Sequence, residues 1–320
     1  MRRFHPALHR LAQCVPLVCG GVFFAIALWR LWQEFQTYRL ADVLQSLGEI
    51  SHPYLLGAIA LTICNYTTLA GYDLLAIRYI RHPLAVPKTM LAGFVSYAIS
   101  NSVGFTLLSG SAVRYHFYSR WGLSAGDIVN VIAFCNLSFW VGLCAVGGVM
   151  FLIEPADVPD FLHLPIESVH PLGVVFLSTL LGYFVWNMWG RGRSLRIGGW
   201  VIPHLPLRLS LMQITVTVID WLLSAGSLYV LLPHPVPLSY LGFFDIFLLA
   251  QVSGILSNVP GGLGVFETVM LVLLPKSITP ATLLGTLLAF RGIYYFLPLA
   301  IALLSFGFYE WRHRCSSSKP

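Results

Sequence analysis

Six ionisable residues stand inside apolar stretches of this chain: Asp73, Arg114, Asp220, Asp245, Glu267 and Arg291. A charge at the centre of a bilayer costs about 2.5–3.5 kcal/mol, so each such residue implies a pairing or a task. Arg114 and Arg291 each present a planar fork of N–H donors that suits the oxygens of a phosphate. Glu267 can neutralise either arginine in a structural ion pair, or face a cationic group. Asp220 lies about halfway along its apolar segment and is the deeper of the two early aspartates. Asp73 lies close to Arg78 and Arg81, where it is either solvated or paired. Tyr115, Tyr118, Tyr294 and Tyr295 flank the two arginines, but aromatics are frequent at membrane interfaces and carry little weight alone.

Two polar, glycine-bearing breaks interrupt the apolar sequence. One is Ser100-Asn101-Ser102-Val103-Gly104, and the other is Ser257-Asn258-Val259-Pro260-Gly261-Gly262-Leu263-Gly264. Lipid cannot satisfy the backbone groups freed at such breaks, so they must be buried in protein or line a wet cavity. A half-helix starting between Gly104 and Gly110, and another starting at Gly262, would aim free N–H groups and a positive dipole end at an anion. Glycine lets a headgroup approach that backbone closely. Tight packing of two hairpin tips is the alternative use of the same glycines. The six cysteines fall mostly in apolar helices, so disulfides are not expected. The ten histidines form no metal-ligand pattern, and no cofactor is expected. No nucleophile and base pair emerges from the spacing, and no GxxxxGK[ST] loop is present to bind ATP.

The elements that must hold these residues are membrane helices. The chain is 57% hydrophobic and only 10% charged over 320 residues, whereas soluble domains are about 25% charged. Its net charge of +6 reads as basic cytoplasmic loops rather than a nucleic-acid surface. Apolar segments run at about 15 to 33, 54 to 77, 89 to 112, 128 to 153, 171 to 189, 210 to 232, 241 to 258, 262 to 274 and 281 to 308. The first follows Arg2, Arg3 and Arg10 and is read as an uncleaved span. Arg191, Arg193, Arg196 and Arg208 share one acid-free loop, while Glu154, Asp157, Asp160 and Glu167 share one without a base. The positive-inside rule is met if 89 to 118 and 241 to 274 are re-entrant hairpins entering from opposite sides. The expected fold is therefore all-α and polytopic, with about six full transmembrane helices, two hairpins and both termini cytoplasmic. No separate soluble domain is expected.

An internal repeat supports that arrangement. Asn65-Tyr66-Thr67-Thr68-Leu69-Ala70-Gly71 aligns with Asp220-Trp221-Leu222-Leu223-Ser224-Ala225-Gly226, Ser100-Asn101 with Ser257-Asn258, and Ala133-Phe134 with Ala289-Phe290. The repeats span about 10–153 and 170–310 within one domain of 1–320. Three crossings per half invert the second copy, as in many secondary transporters.

The run Ser109-Gly110-Ser111-Ala112-Val113-Arg114-Tyr115, with Tyr118 to Ser124 after it, resembles the signature of the lysylphosphatidylglycerol synthase transmembrane-region family. So do Val259 to Glu267, Arg291-Gly292-Ile293-Tyr294-Tyr295-Phe296-Leu297-Pro298, and Gly71-Tyr72-Asp73-Leu74-Leu75. The resemblance spans about residues 55 to 310 and includes the flippase domain of multiple peptide resistance factor and its stand-alone inner-membrane relatives. It implies a bacterial inner-membrane protein that moves phosphatidylglycerol or an aminoacylated phospholipid between leaflets. The soluble aminoacyltransferase part of the longer relatives has no counterpart in these 320 residues, so lysyl transfer is not expected. The expected lipid-binding residues are Asn101, Gly104, Gly110, Arg114, Tyr115, Asp220, Asn258, Gly261, Gly262, Glu267, Arg291 and Tyr294. Two other functions fit the same sequence: a transporter of a small organic anion or amphipathic compound, and a non-transporting scaffold for a phospholipid-synthesising enzyme. The expected partners are phospholipid and the bilayer, with a second copy of the chain or such an enzyme as candidates.

Overall fold

The computed structural model describes residues 45–103, 106–153, 168–189, 195–197, 200–202, 204–236, 238–256 and 264–317. The apolar segment 15–33, the acidic loop, Arg191 and Arg193 lie outside the described residues, as do Gly104, Asn258, Gly261 and Gly262.

Helix α1 (His52–Ile80) has a proline in its first turn, where the missing N–H costs nothing. It stops at Arg81, whose left-handed φ of 55° brings its N–H to the Arg78 carbonyl at 3.2 Å. Helices α2 (Val86–Val103) and α3 (Thr106–Arg120) pack together across the first break. Gly122, at a φ of 89° that a side chain would disfavour, then turns the chain, and Leu123 N–H reaches the Tyr118 carbonyl at 3.1 Å. Ser124 caps α4 (Ala125–Ile153) by accepting from Asp127 N–H at 3.2 Å.

After α5 (His170–Trp189), Leu195–Ile197 pairs antiparallel with Trp200–Ile202, and Arg196 stands opposite Val201. This short ladder is a minor addition to a fold that is otherwise all-helical among the described residues, as expected. Helix α6 is Leu207–Tyr229, and α7 (Tyr240–Leu256) packs against α8 (Val265–Leu273) across the second break. Thr279 caps α9 (Pro280–Phe290), accepting from Thr282 N–H at 3.2 Å. The chain continues without a turn through a π-helical stretch, Arg291–Phe296, into α10 (Leu297–Ser317).

Five helical units among the described residues are long and apolar enough to cross a membrane: α1, α4, α5, α6 and the unit formed by α9, the π-helical stretch and α10. The chain is a multi-pass membrane protein. Exposed Leu56, Ile63, Trp140, Leu181 and Leu304 give these helices apolar outer faces, as lipid requires.

The interior has two apolar cores, one at each end of the long helices. Tyr72, Leu75 and Ala76 of α1, Ile128 and Phe134 of α4 and Leu205 before α6 form one core with Ala92 and Val95 of α2 and Phe117 and Tyr118 of α3. Ala58 of α1, Val146 and Met150 of α4 and Ala225 and Leu228 of α6 form the other with Phe243 and Phe247 of α7 and Val269 and Met270 of α8. Helices α1, α4 and α6 thus run through both cores, whereas each helical hairpin belongs to one. The hairpins therefore sit at opposite ends of the bundle. The last unit also serves both cores: Leu283 and Leu287 of α9 lie in one, Ala302 of α10 in the other, and the π-helical stretch falls between them.

Close packing accounts for several glycines. A Cβ at Gly93 would lie 3.0 Å from Ala70 Cα, so a side chain there would require α1 and α2 to shift by a few tenths of an ångström. A Cβ at Gly142 would lie 2.6 Å from Thr217 Cβ, which sets the approach of α4 to α6.

Candidate functional site

In the first hairpin, Arg114 of α3 meets Asp73 of α1. Its Nε donates to Asp73 Oδ1 at 2.9 Å and its Nη2 to Oδ2 at 2.8 Å, forming a two-pronged pair. The two side chains are 3% and 0% exposed. Tyr118 Oη adds a third donor to Asp73 Oδ1 at 2.7 Å, and Cys135 Sγ of α4 approaches Oδ2 at 3.7 Å. The guanidinium also lies 4.6 Å from the centre of the Tyr97 ring, a favourable cation–π distance. Helical geometry explains the convergence: Arg114 and Tyr118 are four residues apart on one face of α3. Asp73 is therefore neither solvated nor paired with Arg78 or Arg81. It is the buried counterion of Arg114, and Glu267 is not.

In the second hairpin, Glu267 of α8 pairs with Arg291 at the start of the π-helical stretch. Arg291 Nε donates to Glu267 Oε1 at 2.9 Å, and its Nη2 contacts the same oxygen. The pair is largely buried, with Arg291 12% and Glu267 6% exposed. Glu267 Oε2 accepts from Gly264 N–H at 2.8 Å, which caps the first turn of α8. The helix thus begins at Val265 rather than at Gly262, and the chain's own carboxylate occupies its N-terminus. An incoming anion would have to displace it.

Between the two hairpins lies a third polar group, and it joins α1 to α6. Asn65 of α1 and Asp220 of α6, aligned with each other in the repeat, are in direct contact. Asn65 Nδ2 donates to Asp220 Oδ1 and to its backbone carbonyl, both at 2.8 Å. Tyr72 Oη donates to Asp220 Oδ2 at 2.6 Å. Tyr294 Oη, from the π-helical stretch, donates to Asn65 Oδ1 at 2.8 Å. Tyr66 Oη in turn donates to the Tyr294 carbonyl at 3.0 Å, and Asn101 Nδ2 at the end of α2 donates to Tyr66 Oη at 3.4 Å. Ser102 Oγ reaches the Tyr295 carbonyl at 3.2 Å.

The expected site residues therefore separate. Asn101, Asp220 and Tyr294 share the central network, Arg114 belongs to the first ion pair, and Glu267 and Arg291 form the second. Gly110 serves packing in this conformation, because a Cβ there would collide with Ser100 Oγ. It also lies inside α3, which starts at Thr106, rather than at its free N-terminus. Tyr115 is 56% exposed and points away from the network. Asp245, to which the sequence assigns no role, is buried in α7. Sequence reasoning missed Asn65, Tyr72 and Tyr118 as partners of the buried charges. The alignment of Asn65 with Asp220 in the sequence was the available signal for their contact.

Comparison with known proteins places the chain in a family. The family described as the lysylphosphatidylglycerol synthase TM region matches residues 17–302. An uncharacterised protein of Synechocystis is 49% identical over 304 residues, covering 95% of this chain and 94% of that protein. Inner membrane protein YbhN of Escherichia coli is 27% identical over 266 residues, covering 83% of each. Phosphatidylglycerol lysyltransferase of Staphylococcus haemolyticus is 23% identical over 303 residues, covering 92% of this chain but 34% of the enzyme. Matched over residues 17–302, this chain belongs to the lysylphosphatidylglycerol synthase transmembrane-region family.

Proposed function

We propose that the protein is an inner-membrane lipid translocase that moves phosphatidylglycerol, or an aminoacylated derivative of it, between leaflets. The contact of the repeat-aligned Asn65 and Asp220, between two hairpins at opposite ends of the bundle, carries this reading. A local two-fold relation produces such a contact, and transporters built from inverted repeats place their sites at the repeat interface. On this reading the domain is single, its repeats cover about 10–153 and 170–310, and the hairpins enter the membrane from opposite faces. The staphylococcal relatives act on phosphatidylglycerol by name, which supports that headgroup as substrate.

The ion pairs are the gates in this scheme. Each is neutral as a unit, so it sits in the membrane interior at tolerable cost. A headgroup phosphate exchanges for Glu267 on Arg291, because both anions suit the guanidinium fork. The released Glu267, together with Asp220, then faces the ammonium of an aminoacylated headgroup. Arg114, tied twice to Asp73, opens in the complementary state of the other hairpin. On this reading Gly104, Asn258, Gly261 and Gly262, which lie outside the described residues, contribute to headgroup binding.

Vesicles containing the purified protein and a fluorescent phosphatidylglycerol in both leaflets provide the test. Loss of signal to a membrane-impermeant quencher should exceed the half accessible in protein-free vesicles. Equal plateaus with and without protein would overturn the reading.

A further inference from the structure

We propose that Asp220 is a proton-binding site, and that its occupancy is conveyed to both hairpins through Asn65, Tyr294, Tyr66 and Asn101. This inference rests on the translocase reading for its use, although proton binding itself can be tested separately.

The argument begins with charge balance. Asp73 is matched by Arg114, and Glu267 by Arg291. Asp220 has no cation among the described residues: its carboxylate accepts only from the amide of Asn65 and the phenol of Tyr72. It is 7% exposed and stands near the middle of a helix apolar enough to cross a membrane. As an anion it is a net buried charge, stabilised by neutral donors alone. Adding one proton removes that charge, and no salt bridge has to break.

The surroundings can accommodate either form. With the proton on Oδ2, the 2.6 Å contact to Tyr72 reverses: the carboxylic acid donates and the phenol oxygen accepts. Asn65 keeps its bond to the Asp220 backbone carbonyl in both forms. The titratable groups facing Asp220 are Tyr72 and Tyr66 of α1 and Tyr294 of the π-helical stretch. The other helices packed on α6 contribute no cation beside it. Helix α4 contains Asp127, Cys135 and Cys144, α5 contains His170 and Tyr183, α7 contains Tyr240 and Asp245, and α9 has no titratable side chain.

Connections run outward from this point in two directions. Asn65 Oδ1 accepts from Tyr294, three residues after Arg291, so one branch reaches the second ion pair through a π-helical stretch. Such stretches often mark functional sites, because their hydrogen-bond register can shift. The Tyr294 carbonyl accepts from Tyr66, whose oxygen accepts from Asn101 at the end of α2, so the other branch reaches the tip of the first hairpin. A single titrating carboxyl is thus wired to both proposed gates, as the coupling of headgroup movement to a proton gradient requires.

Infrared difference spectroscopy on the purified full chain, stepped from mildly alkaline to mildly acidic buffer, tests proton binding without any lipid assay. We expect a buried-carboxyl C=O band that appears on acidification, persists in Glu310→Gln and is lost in Asp220→Asn. If Asp220→Asn does not fold, Tyr72→Phe replaces it. Loss of one donor to the anion should make that variant hold the proton about tenfold more tightly. Absence of the band, or its survival in Asp220→Asn, or an unshifted midpoint in Tyr72→Phe, overturns the proposal. In vesicles, an inward or outward pH gradient should change the wild-type lipid transfer rate several-fold, whereas Asp220→Asn, or Tyr72→Phe in its place at a shifted pH, should respond differently. Wild-type transfer that ignores the pH gradient, or responds only to sodium, refutes coupling while leaving the translocase reading intact. If wild type transfers no lipid, the translocase reading fails, and the infrared band still decides whether Asp220 binds a proton.

Discussion

Replacing Asp73 with asparagine changes one atom's chemistry and almost no volume, yet it leaves Arg114 as an unbalanced buried cation. In the native protein, three donors converge on the carboxylate, at 2.9, 2.8 and 2.7 Å. The substituted amide would keep one oxygen to accept from Arg114 Nε and Tyr118. Its new NH2 group would face Arg114 Nη2, donor against donor. Both native partners are essentially inaccessible, at 0% and 3% exposure, so water cannot replace the lost charge. Removing one member of such a pair costs about 3–5 kcal/mol, whereas replacing both with apolar groups is often neutral. Asp73→Asn, Asp73→Leu and Arg114→Met alone should therefore each destabilise the protein by about 3–5 kcal/mol, and Asp73→Leu with Arg114→Met should recover most of that loss. Denaturant unfolding in mild detergent, arranged as a double-mutant cycle, measures the difference. Single substitutions costing below about 1 kcal/mol, or losses that simply add, would refute the claim that this pair is a dry, mutually dependent unit. The double variant also separates structure from transport: a stable protein that transfers lipid at the wild-type rate would remove Arg114 from the gating scheme.

Two further predictions concern packing and orientation. Gly142→Ala should cost about 1–3 kcal/mol, because its Cβ would lie 2.6 Å from that of Thr217, whereas Gly182→Ala meets nothing within 4 Å and should be neutral or slightly stabilising in the same unfolding assay. Single cysteines at the exposed positions Arg81 and Arg208, in a background lacking the native cysteines, should react with an impermeant thiol reagent from the cytoplasmic face, and one at Lys276 from the opposite face. Labelling of 81 and 208 from different faces would overturn the topology.

Much of the helical framework was legible because apolar length is itself the signal. The segments 54 to 77, 128 to 153, 171 to 189 and 210 to 232 correspond to α1, α4, α5 and α6 with ends shifted by a few residues. The break predicted near Ser100 to Gly104 separates α2 from α3, and that at 257 to 264 separates α7 from α8. Pairing was less accessible. Glu267 had two candidate arginines in the sequence, and only the approach of α8 to the π-helical stretch selects Arg291. Asp73 has Arg78 and Arg81 nearby in sequence, but which face of α1 is buried depends on the helices packed against it, and that packing turns Asp73 toward Arg114. The π-helical register of Arg291–Phe296 also leaves no mark in an apolar sequence, because its cause is the packing around it.

What the sequence determined by itself was the solvent and the plan. A chain with so few charges must satisfy its backbone internally, and the described residues do so mainly in helices. Only the tertiary structure decided how the buried charges are balanced, because neutralisation depends on distances of about 3 Å between residues 41 positions apart in one pair and 24 in the other. It resolved five of the six suspect ionisable groups into two neutral pairs and one carboxylate, at the Asn65–Asp220 contact, that has no cation among the described residues. That carboxylate is the group whose charge the surrounding protein leaves free to change.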